Sequence, residues 1–246
     1  MTASIPSWRL VIDGDHSGAE NMARDVAMLG AVITGEIPPT LRLYGWSTPC
    51  LTLGRHQDDD AADADFCRRH GIDIVRRPTG GRAVLHHLEL TYSVVAPLGQ
   101  GPLPRSLQAA YCLLCSALVE AVRSFGIDAG LTGGEVNLSL PGPRTTVPCF
   151  EAPAGGEVVV GGQKLIGSSM RARQGHILQH GAILLDWDGR LQAGAMGLPD
   201  DSSLRPHVTT FAEQLDAVPS SEDLVETVAR AFENTLSIVF SPGSLG

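Results

Sequence analysis

Apolar and polar positions follow two different periods along the chain, and this pattern predicts a mixture of strands and helices. Short apolar or alternating runs that are bounded by turn residues are typical of strands. They predict strands at Trp8–Ile12, Leu41–Trp46, Leu51–Gly54, Ile72–Arg77 and His176–Leu185, and extended structure over Ala83–Ala96. A Gly161–Gly162 turn should join residues 157–160 and 163–167 into a β-hairpin.

Helices are predicted where apolar positions recur every three or four residues between capping residues. Ser17 with Glu20 three residues later forms a capping box, so a helix should begin there and run to about Leu29. Further helices are predicted over residues 58–71, Ser106–Phe125 and Ser220 to about Ile238, and a loop over Asp186–Pro219. Because strands and helices do not alternate strictly, the pattern favours an α+β fold with helices packed on a mixed β-sheet.

The length and composition are typical of one globular domain. With 246 residues and 43% hydrophobic content, the chain can bury a full core, and we expect a single domain over residues 1–246. Five cysteines at irregular spacings do not form a disulfide framework, and the amino terminus lacks the basic and apolar regions of a secretion signal. No run of about 18 apolar residues could span a membrane. We therefore expect a cytoplasmic protein with reduced thiols.

The net charge of −9 at pH 7 opposes nucleic acid and anionic membranes as main partners. Positive charge is nevertheless concentrated in two places, which are Arg76, Arg77 and Arg82 around the tight turn Gly80–Gly81, and Arg171 and Arg173 after the hairpin. Adjacent glycines let a backbone approach a ligand closely, although the same pair is also typical of a plain β-turn. The arginines could receive a phosphate, a pantetheine arm or an acidic carrier protein.

Lys164 is the only lysine in the chain, because Lys and Arg together number 18 and the sequence contains 17 arginines. An ammonium is a compact point charge whose pKa shifts readily, whereas a guanidinium is a wide, planar fork. The lysine lies near the start of the second hairpin strand, where strict alternation places it on one face with Ile166. We expect it to point into a lined pocket and to serve a function, although biased composition could also leave one lysine by chance.

Cys149 lies in a segment where four prolines, Pro141, Pro143, Pro148 and Pro153, disfavour regular structure. We therefore predict that it lies on a loop. A thiol is an effective nucleophile only as the thiolate, and a nearby ammonium is one means of lowering its pKa. Cys149 and Lys164 thus form a candidate pair of nucleophile and cation, against the alternative that the cysteine is incidental.

Two other spacings suggest metal ligands but do not predict a metal site. Cys112 and Cys115 stand three apart in a predicted helix among Leu, Ala and Tyr, without a matching second pair, so we interpret them as core residues. His176 and His180 are four apart on a predicted strand, where that separation spans about 13 Å. We therefore expect no metal.

Four stretches of the chain resemble one known family. They are GAENMARD, RLYGWSTPCLTLGRHQ, RRPTGGRAVLHHLELTYS and KLIGSSMRARQGHILQHGAILL. Together they resemble the biotin and lipoate protein ligase superfamily over nearly the whole chain. Within it the likeness is to the LipM-type octanoyltransferases, because Cys149 and Phe150 stand where lipoate ligases usually have an Asn-Asp pair.

The resemblance implies a fold and a reaction. The fold would be a mixed, mainly antiparallel sheet flanked by helices, with a core at about residues 34–220 and no separate C-terminal accessory domain. The reaction would transfer an octanoyl group from octanoyl-acyl carrier protein to a lysine of a lipoyl domain, such as glycine cleavage H protein, through a cysteine thioester. No cofactor is expected, because transfer from thioester to amide is downhill without ATP. We also expect a monomer.

The resemblance also assigns roles to residues. Cys149 would be the nucleophile, and Lys164 would lower its pKa and contact the reacting carbonyl. The substrate pocket would be lined by Arg77, Thr79, Gly80, Gly81, Arg82, Ala83, His86, Gly167, Ser168, His180 and Gly181. Two alternatives remain open. One is an ATP-dependent lipoate-protein ligase, whose glycine loop and arginines hold an acyl-adenylate with ATP and Mg, and the other is a non-catalytic protein that binds lipoyl carriers.

Overall fold

The computed structural model describes residues 5–133 and 155–243. Its strands, in chain order, are β1 (Ser7–His16), β2 (Thr40–Trp46), β3 (Cys50–Leu53), β4 (Asp73–Arg76), β5 (Val84–His86), β6 (Glu89–Pro97), β7 (Ala129–Leu131), β8 (Val158–Val160), β9 (Gln163–Arg173), β10 (His176–Leu184) and β11 (Val239–Pro242). Its helices are α1 (Gly18–Thr34), α2 (Ala64–Arg69), α3 (Leu107–Arg123), α4 (Gly189–Ala195), α5 (Phe211–Gln214) and α6 (Ser221–Leu236).

Two sheets organise this part of the chain. In residues 5–133 and 155–243, eight strands form the main sheet, in the order β11-β1-β2-β6-β10-β9-β8-β7. The β11–β1 and β1–β2 pairs are parallel, and the remaining neighbours are antiparallel. A smaller sheet has the order β4-β3-β5, with β3 parallel to β4 and antiparallel to β5. The predicted α+β fold with a mixed, mainly antiparallel sheet is confirmed.

Alternate side chains of β10 point to opposite faces of the main sheet. Ile177 and Ile183 lie in the largest apolar cluster, which α3 and α6 complete. Leu178 instead packs in a cluster with residues of α1, and Ala182 in a cluster with residues of the small sheet. Even-numbered residues of β10 therefore face a layer made by α1 and the small sheet, and this layer holds most of the candidate site.

The start of α1 shows why the sequence folds as predicted here. The Ser17 hydroxyl accepts the backbone N–H of Glu20, and the Glu20 carboxylate accepts the backbone N–H of Ser17. The two bonds satisfy backbone donors that a helix start would otherwise leave unpaired. The helix runs past the predicted end at Leu29 because Gly30 is accommodated within it, and it ends at Gly35, which has a φ of 76°.

Three local predictions were wrong or incomplete. Residues 58–71 form a 3-10 turn and then the short helix α2, because Asp63 accepts the backbone N–H of Phe66 and starts a new helix there. Asp186–Pro219 was predicted as a loop, yet it contains α4 and α5. The two edge strands of the main sheet, β7 and β11, were not predicted. The helix α6 does bury the predicted stripe of Leu224, Val228, Phe232 and Leu236.

None of the helices within the described ranges has the length and apolar character needed to cross a membrane. The expected cytoplasmic location, the expected monomer and the expected single domain over residues 1–246 stay predictions.

Candidate active site

Lys164 is fully buried and paired with a carboxylate. Its exposed fraction is 0%, and its Nζ lies 2.8 Å from Oε1 of Glu157, which is also buried. The Gly161–Gly162 turn joins β8 to β9 as predicted, with φ angles of 57° and 85° that favour glycine at both positions. The lysine side chain therefore does not extend into solvent, and its expected place in a substrate-lined pocket stays a prediction.

A β-bulge directs this side chain. Val158 and Val159 of β8 pair with Ile166 and Lys164 of β9, so Leu165 is an extra residue on β9. The strict alternation predicted between Lys164 and Ile166 is interrupted there. The lysine stem instead runs beside Gly167, and its Cδ lies 3.5 Å from the position that a Cβ on Gly167 would occupy.

Glu157 is held in place by the neighbouring strand and was missed from the sequence. Its backbone N–H donates to Oγ1 of Thr132 at 2.9 Å, and the Thr132 N–H donates to the Glu157 carbonyl at 2.9 Å. An ammonium in this interior is tolerated because a carboxylate pairs with it, since an unpaired buried charge costs several kcal/mol. An acid at the start of a valine run, across a tight turn from the sole lysine, is the sequence signal that could have found it.

The glycine loop, residues 78–83, is built around the buried side chain of Arg77. Its guanidinium donates to the carbonyls of Thr52, Gly80 and Arg82 at 2.7–3.1 Å. Gly81 has a φ of 91°, and a Cβ there would lie 2.7 Å from Nη2 of Arg77. Arg77 therefore shapes the loop from inside, and Ala83 anchors the end of the loop in the core beside the small sheet.

Three buried side chains tie the loop to the main sheet. The hydroxyl of Thr79 lies 2.6 Å from Nε2 of His180, and Nδ1 of His180 lies 3.0 Å from the Asp25 carboxylate on α1. Burial lowers the pKa of His180, while the hydrogen bond with Asp25 opposes this shift. The neutral imidazole then donates a hydrogen bond from Nδ1 to Asp25 and accepts a hydrogen bond from the Thr79 hydroxyl at Nε2.

Asp25 is the charged centre of this network and was also missed from the sequence. It accepts hydrogen bonds from Arg42 and from Ser93, each at 2.9 Å. Burial would raise the pKa of the Asp25 carboxyl, but its bond with His180 and the charge of Arg42 hold it below the ordinary value. No local pattern marks Asp25, because its partners lie on β2, β6 and β10.

His86 is linked to the loop only indirectly. Its Nε2 lies 2.9 Å from the Thr52 hydroxyl, which also accepts from Arg77, and its Nδ1 lies 2.7 Å from Glu89. Its ring stacks on Trp46 with the ring centroids 4.1 Å apart. His86 therefore lies behind the glycine loop.

Ser168 and Gly181 pair across β9 and β10 and face α3 instead. The Ser168 hydroxyl lies 2.7 Å from the Tyr92 hydroxyl. A Cβ on Gly181 would lie 2.4 Å from the Gly167 carbonyl oxygen and 2.7 Å from the Tyr92 ring. Glycine is therefore required at 181 by close packing, and the Ser168 side chain lies on the opposite face of the sheet from the glycine loop.

The structure thus gathers part of the predicted set around one stretch of β9 and β10. Ser169, next to Gly167 and Ser168, donates from its hydroxyl to the Gly80 carbonyl at 3.0 Å and so fixes the loop over the sheet. The predicted residues on this face are Thr79, Gly80, Gly81, Arg82, Gly167 and His180, with Lys164 beside Gly167. Their roles as substrate contacts stay predictions, and Cys149 lies outside the described residues.

Three cysteines within the described ranges are buried and held as thiols. Burial raises the pKa of Cys67 to about 11 and that of Cys115 to about 12, and it also raises the pKa of Cys50. The interpretation of Cys115 as a core residue is confirmed, whereas Cys112 is only partly buried. None of the three buried thiols is suited to act as a nucleophile.

The sequence model of the lipoyl protein ligase A/B catalytic domain matches residues 17–233. The chain belongs to this family. A family relative, Octanoyltransferase LipM of Kyrpidia tusciae, is 38% identical over 253 residues, which cover 98% of this chain and 91% of the relative. Octanoyltransferase LipM of Geobacillus kaustophilus is 36% identical over 249 residues, which cover 97% and 89%.

Solved structures of the lipoyl protein ligase family share the fold. Lipoate-protein ligase A bound with ATP matches with a TM-score of 0.77 and 26% identity, over 98% of this chain and 90% of that one. A bi-partite lipoate protein ligase of Thermoplasma acidophilum matches with a TM-score of 0.75 and 22% identity, over 98% and 88%. These matches confirm the resemblance to the superfamily and its catalytic-domain fold, and the curated relatives confirm the likeness to LipM-type octanoyltransferases.

Proposed function

We propose that the protein is an acyltransferase of protein lipoylation, which moves an octanoyl group from octanoyl-acyl carrier protein to a lysine of a lipoyl domain through a thioester on Cys149. Octanoyl transfer is supported by relatives named Octanoyltransferase LipM, which are 36–38% identical over nearly the full chain. The donor, the acceptor and the thioester go beyond those names and are part of the proposal.

The observation that carries the mechanism is the buried Lys164–Glu157 pair beside Gly167. The backbone N–H of Gly156 donates to the Thr132 carbonyl at 3.0 Å, next to Glu157. Cys149 stands six residues before Gly155, and a chain of that length spans at most about 20 Å. A thiolate at Cys149 would be stabilised by a fixed ammonium of this kind.

Two acyl transfers complete the reaction. The Cys149 thiolate attacks the carbonyl of the donor thioester, its new C–S bond replaces the bond to the carrier sulfur, and the carrier thiolate takes up a proton. A neutral acceptor lysine amine then attacks the Cys149 thioester, forms the C–N bond, and loses a proton as Cys149 leaves. The Lys164 ammonium and backbone N–H groups stabilise the oxyanion in each step. The amide is lower in energy than the thioester, so ATP is not consumed.

Intact-mass spectrometry tests the first transfer. Incubation with octanoyl-acyl carrier protein and no ATP should add one octanoyl group to the protein, on the peptide that contains Cys149, and neutral hydroxylamine should remove it. Cys149→Ser should form no such adduct, whereas Cys112→Ser should form it as the parent does, because Cys112 lies on α3 outside the candidate site. A protein that acquires no adduct without ATP contradicts the proposal.

An ATP-dependent ligase is the second candidate, because lipoate-protein ligase A bound with ATP has the same fold at 26% identity. In that case the glycine loop would hold an acyl-adenylate, and acylation of the acceptor would require ATP and free octanoate or lipoate. The same assay separates the two, since an adenylate mechanism leaves no hydroxylamine-labile octanoyl group on a cysteine.

A further inference from the structure

Two arginines contact the glycine loop, and a third shares a face of β9 with one of them. The backbone N–H of Arg55 donates to the Thr79 carbonyl at 2.8 Å, and Nη1 of Arg171 lies 3.5 Å from the Pro78 carbonyl. Ser169, Arg171 and Arg173 alternate along β9, so their side chains share the face that carries the loop. We call Arg55, Arg171 and Arg173 the arginine rim.

The charges of the arginine rim are not neutralised by the described residues. None of the three forms an ion pair there, whereas the surface arginines Arg68, Arg76 and Arg205 pair with Asp65, Asp59 and Glu213. Partial burial lowers the pKa of Arg171, and the charges of Arg55 and Arg173 lower it further. The charge of Arg171 is therefore repelled by those of Arg55 and Arg173, and an anion would relieve this repulsion.

Resting on the proposed function, we propose that the arginine rim is the docking surface for the acyl carrier protein that delivers the octanoyl group. The partner must supply anions beside the glycine loop. Such a carrier presents two kinds of anion together, the carboxylates of an acidic surface and the phosphodiester at the base of its pantetheine arm. Guanidinium groups bind both through paired N–H donors.

The charge balance of the whole chain favours this partner over other polyanions. A net charge of −9 repels long polyanions such as nucleic acid, whose binding needs many phosphate contacts. A small local patch of positive charge can still steer a small acidic protein into one orientation. The rim lies beside the loop that carries the predicted substrate contacts, so a carrier docked there has its arm at the site.

The test uses the Arg55→Glu/Arg173→Glu double variant of the full chain, because both side chains are exposed. At low ionic strength its KM for octanoyl-acyl carrier protein should rise on the order of 10-fold, with a several-fold rise in each single variant, and added salt should remove most of the difference. Arg230→Glu is the matched control for the single variants. It makes the same charge change on α6, on the other face of the main sheet, and should leave KM unchanged.

A comparison of three acyl donors shows which anion the arginine rim binds. Loading from octanoyl-pantetheine, which has neither phosphate nor protein, should be the same in parent and double variant. Slower loading of the variant from octanoyl-coenzyme A as well as from the carrier assigns the rim to phosphate, and slower loading from the carrier alone assigns it to carboxylates. The proposal is overturned if carrier loading is unchanged, if all three donors are affected equally, or if only the later transfer to the acceptor slows.

Direct binding separates this proposal from the proposed function. The affinity for fluorescently labelled octanoyl-acyl carrier protein, measured by anisotropy, should fall in the double variant and not in Arg230→Glu. A parent protein that binds the carrier through the rim but forms no adduct would contradict the thioester mechanism and leave the docking surface standing. If the parent protein forms the adduct and the double variant binds the carrier normally, the docking surface is contradicted and the thioester mechanism stands.

Discussion

A lone lysine in an arginine-rich chain is explained by the space that it occupies. Lys164 is fully buried, its Nζ lies 2.8 Å from Glu157, and its stem runs beside Gly167. A guanidinium is planar and wide, so it cannot place a compact charge at the same point. Because removal of one partner leaves the other charge buried and unpaired, the pair couples the stability of the fold to the proposed chemistry.

Substitutions of Lys164 and of its partner Glu157 should show separate effects on activity and on stability. Lys164→Arg should lower octanoyl transfer by about 100-fold or more, because the oxyanion needs its donor at the right distance. Glu157→Gln should lower the free energy of unfolding by about 3 kcal/mol, because it leaves an ammonium buried without its counter-charge.

The double variant Glu157→Leu/Lys164→Met is the control for this pair. It should recover most of the lost stability, because apolar residues of similar size can replace a buried ion pair. It should remain inactive. Urea unfolding and a transfer assay check these outcomes, and a Lys164→Arg protein as active as the parent would show that the lone lysine is an accident of composition.

His180 should make the free energy of unfolding decrease as the pH falls. Burial lowers its pKa in the folded protein below the ordinary value of 6.5. As the pH falls below about 6.5, the unfolded chain takes up a proton that the folded chain does not, so the free energy of unfolding should decrease. At higher pH the imidazole is neutral in both states, and this contribution to the pH dependence disappears.

The comparison of parent and His180→Asn isolates this histidine from the others. Asn can keep a donor to Asp25 but does not titrate, so the variant should be less stable overall and its stability should depend less on pH between about 6.5 and 5. Urea unfolding at several pH values measures the slopes. Equal slopes would show that His180 does not stay neutral in the folded protein.

At the scale of elements, the glycine loop is fixed by contacts over long sequence distances. Arg77 supports it from the small sheet, and Thr79 ties it to His180, 101 residues away. Two glycine substitutions with opposite expected effects on stability test this description. Gly81 has a φ of 91° and no room for a Cβ beside Arg77, whereas Gly30 lies inside α1 with open space around it.

Gly81→Ala should destabilise the protein by about 1–3 kcal/mol, because alanine rarely adopts this backbone conformation. It should also impair octanoyl transfer by moving the loop. Gly30→Ala should instead stabilise the protein by about 0.5–1 kcal/mol and leave transfer unchanged, because alanine favours a helix. Thermal unfolding compares the two. A neutral Gly81→Ala would show that the loop has another conformation available.

The elements that could be predicted from the sequence are those specified locally. Ser17 and Glu20 define the start of α1 within four residues, and Gly161–Gly162 define the β8–β9 turn. The polar network could not be predicted in this way, because Asp25 and His180 are 155 residues apart and meet only when β10 packs against α1. The bulge at Leu165 was likewise missed, because alternation alone does not show where a strand gains a residue.

At the scale of the whole molecule, local positive charge contrasts with a negative net charge. The chain carries a net charge of −9, yet the glycine loop is bordered by the arginine rim, and the one ammonium is enclosed with its own carboxylate. The fold agrees with lipoate-protein ligase A over 98% of the chain. The fold therefore does not separate a ligase from a transferase, and the distinction depends on the path of the octanoyl group.

The most direct test follows one octanoyl group through both steps. The protein is loaded from octanoyl-acyl carrier protein, freed of donor, and mixed with a lipoyl-domain protein without ATP, while rapid quenching and intact-mass spectrometry follow both proteins. The account predicts that the octanoyl group leaves Cys149 and appears on a lysine of the lipoyl domain, at least as fast as steady-state turnover. A loaded protein that keeps its octanoyl group until ATP is added would contradict it.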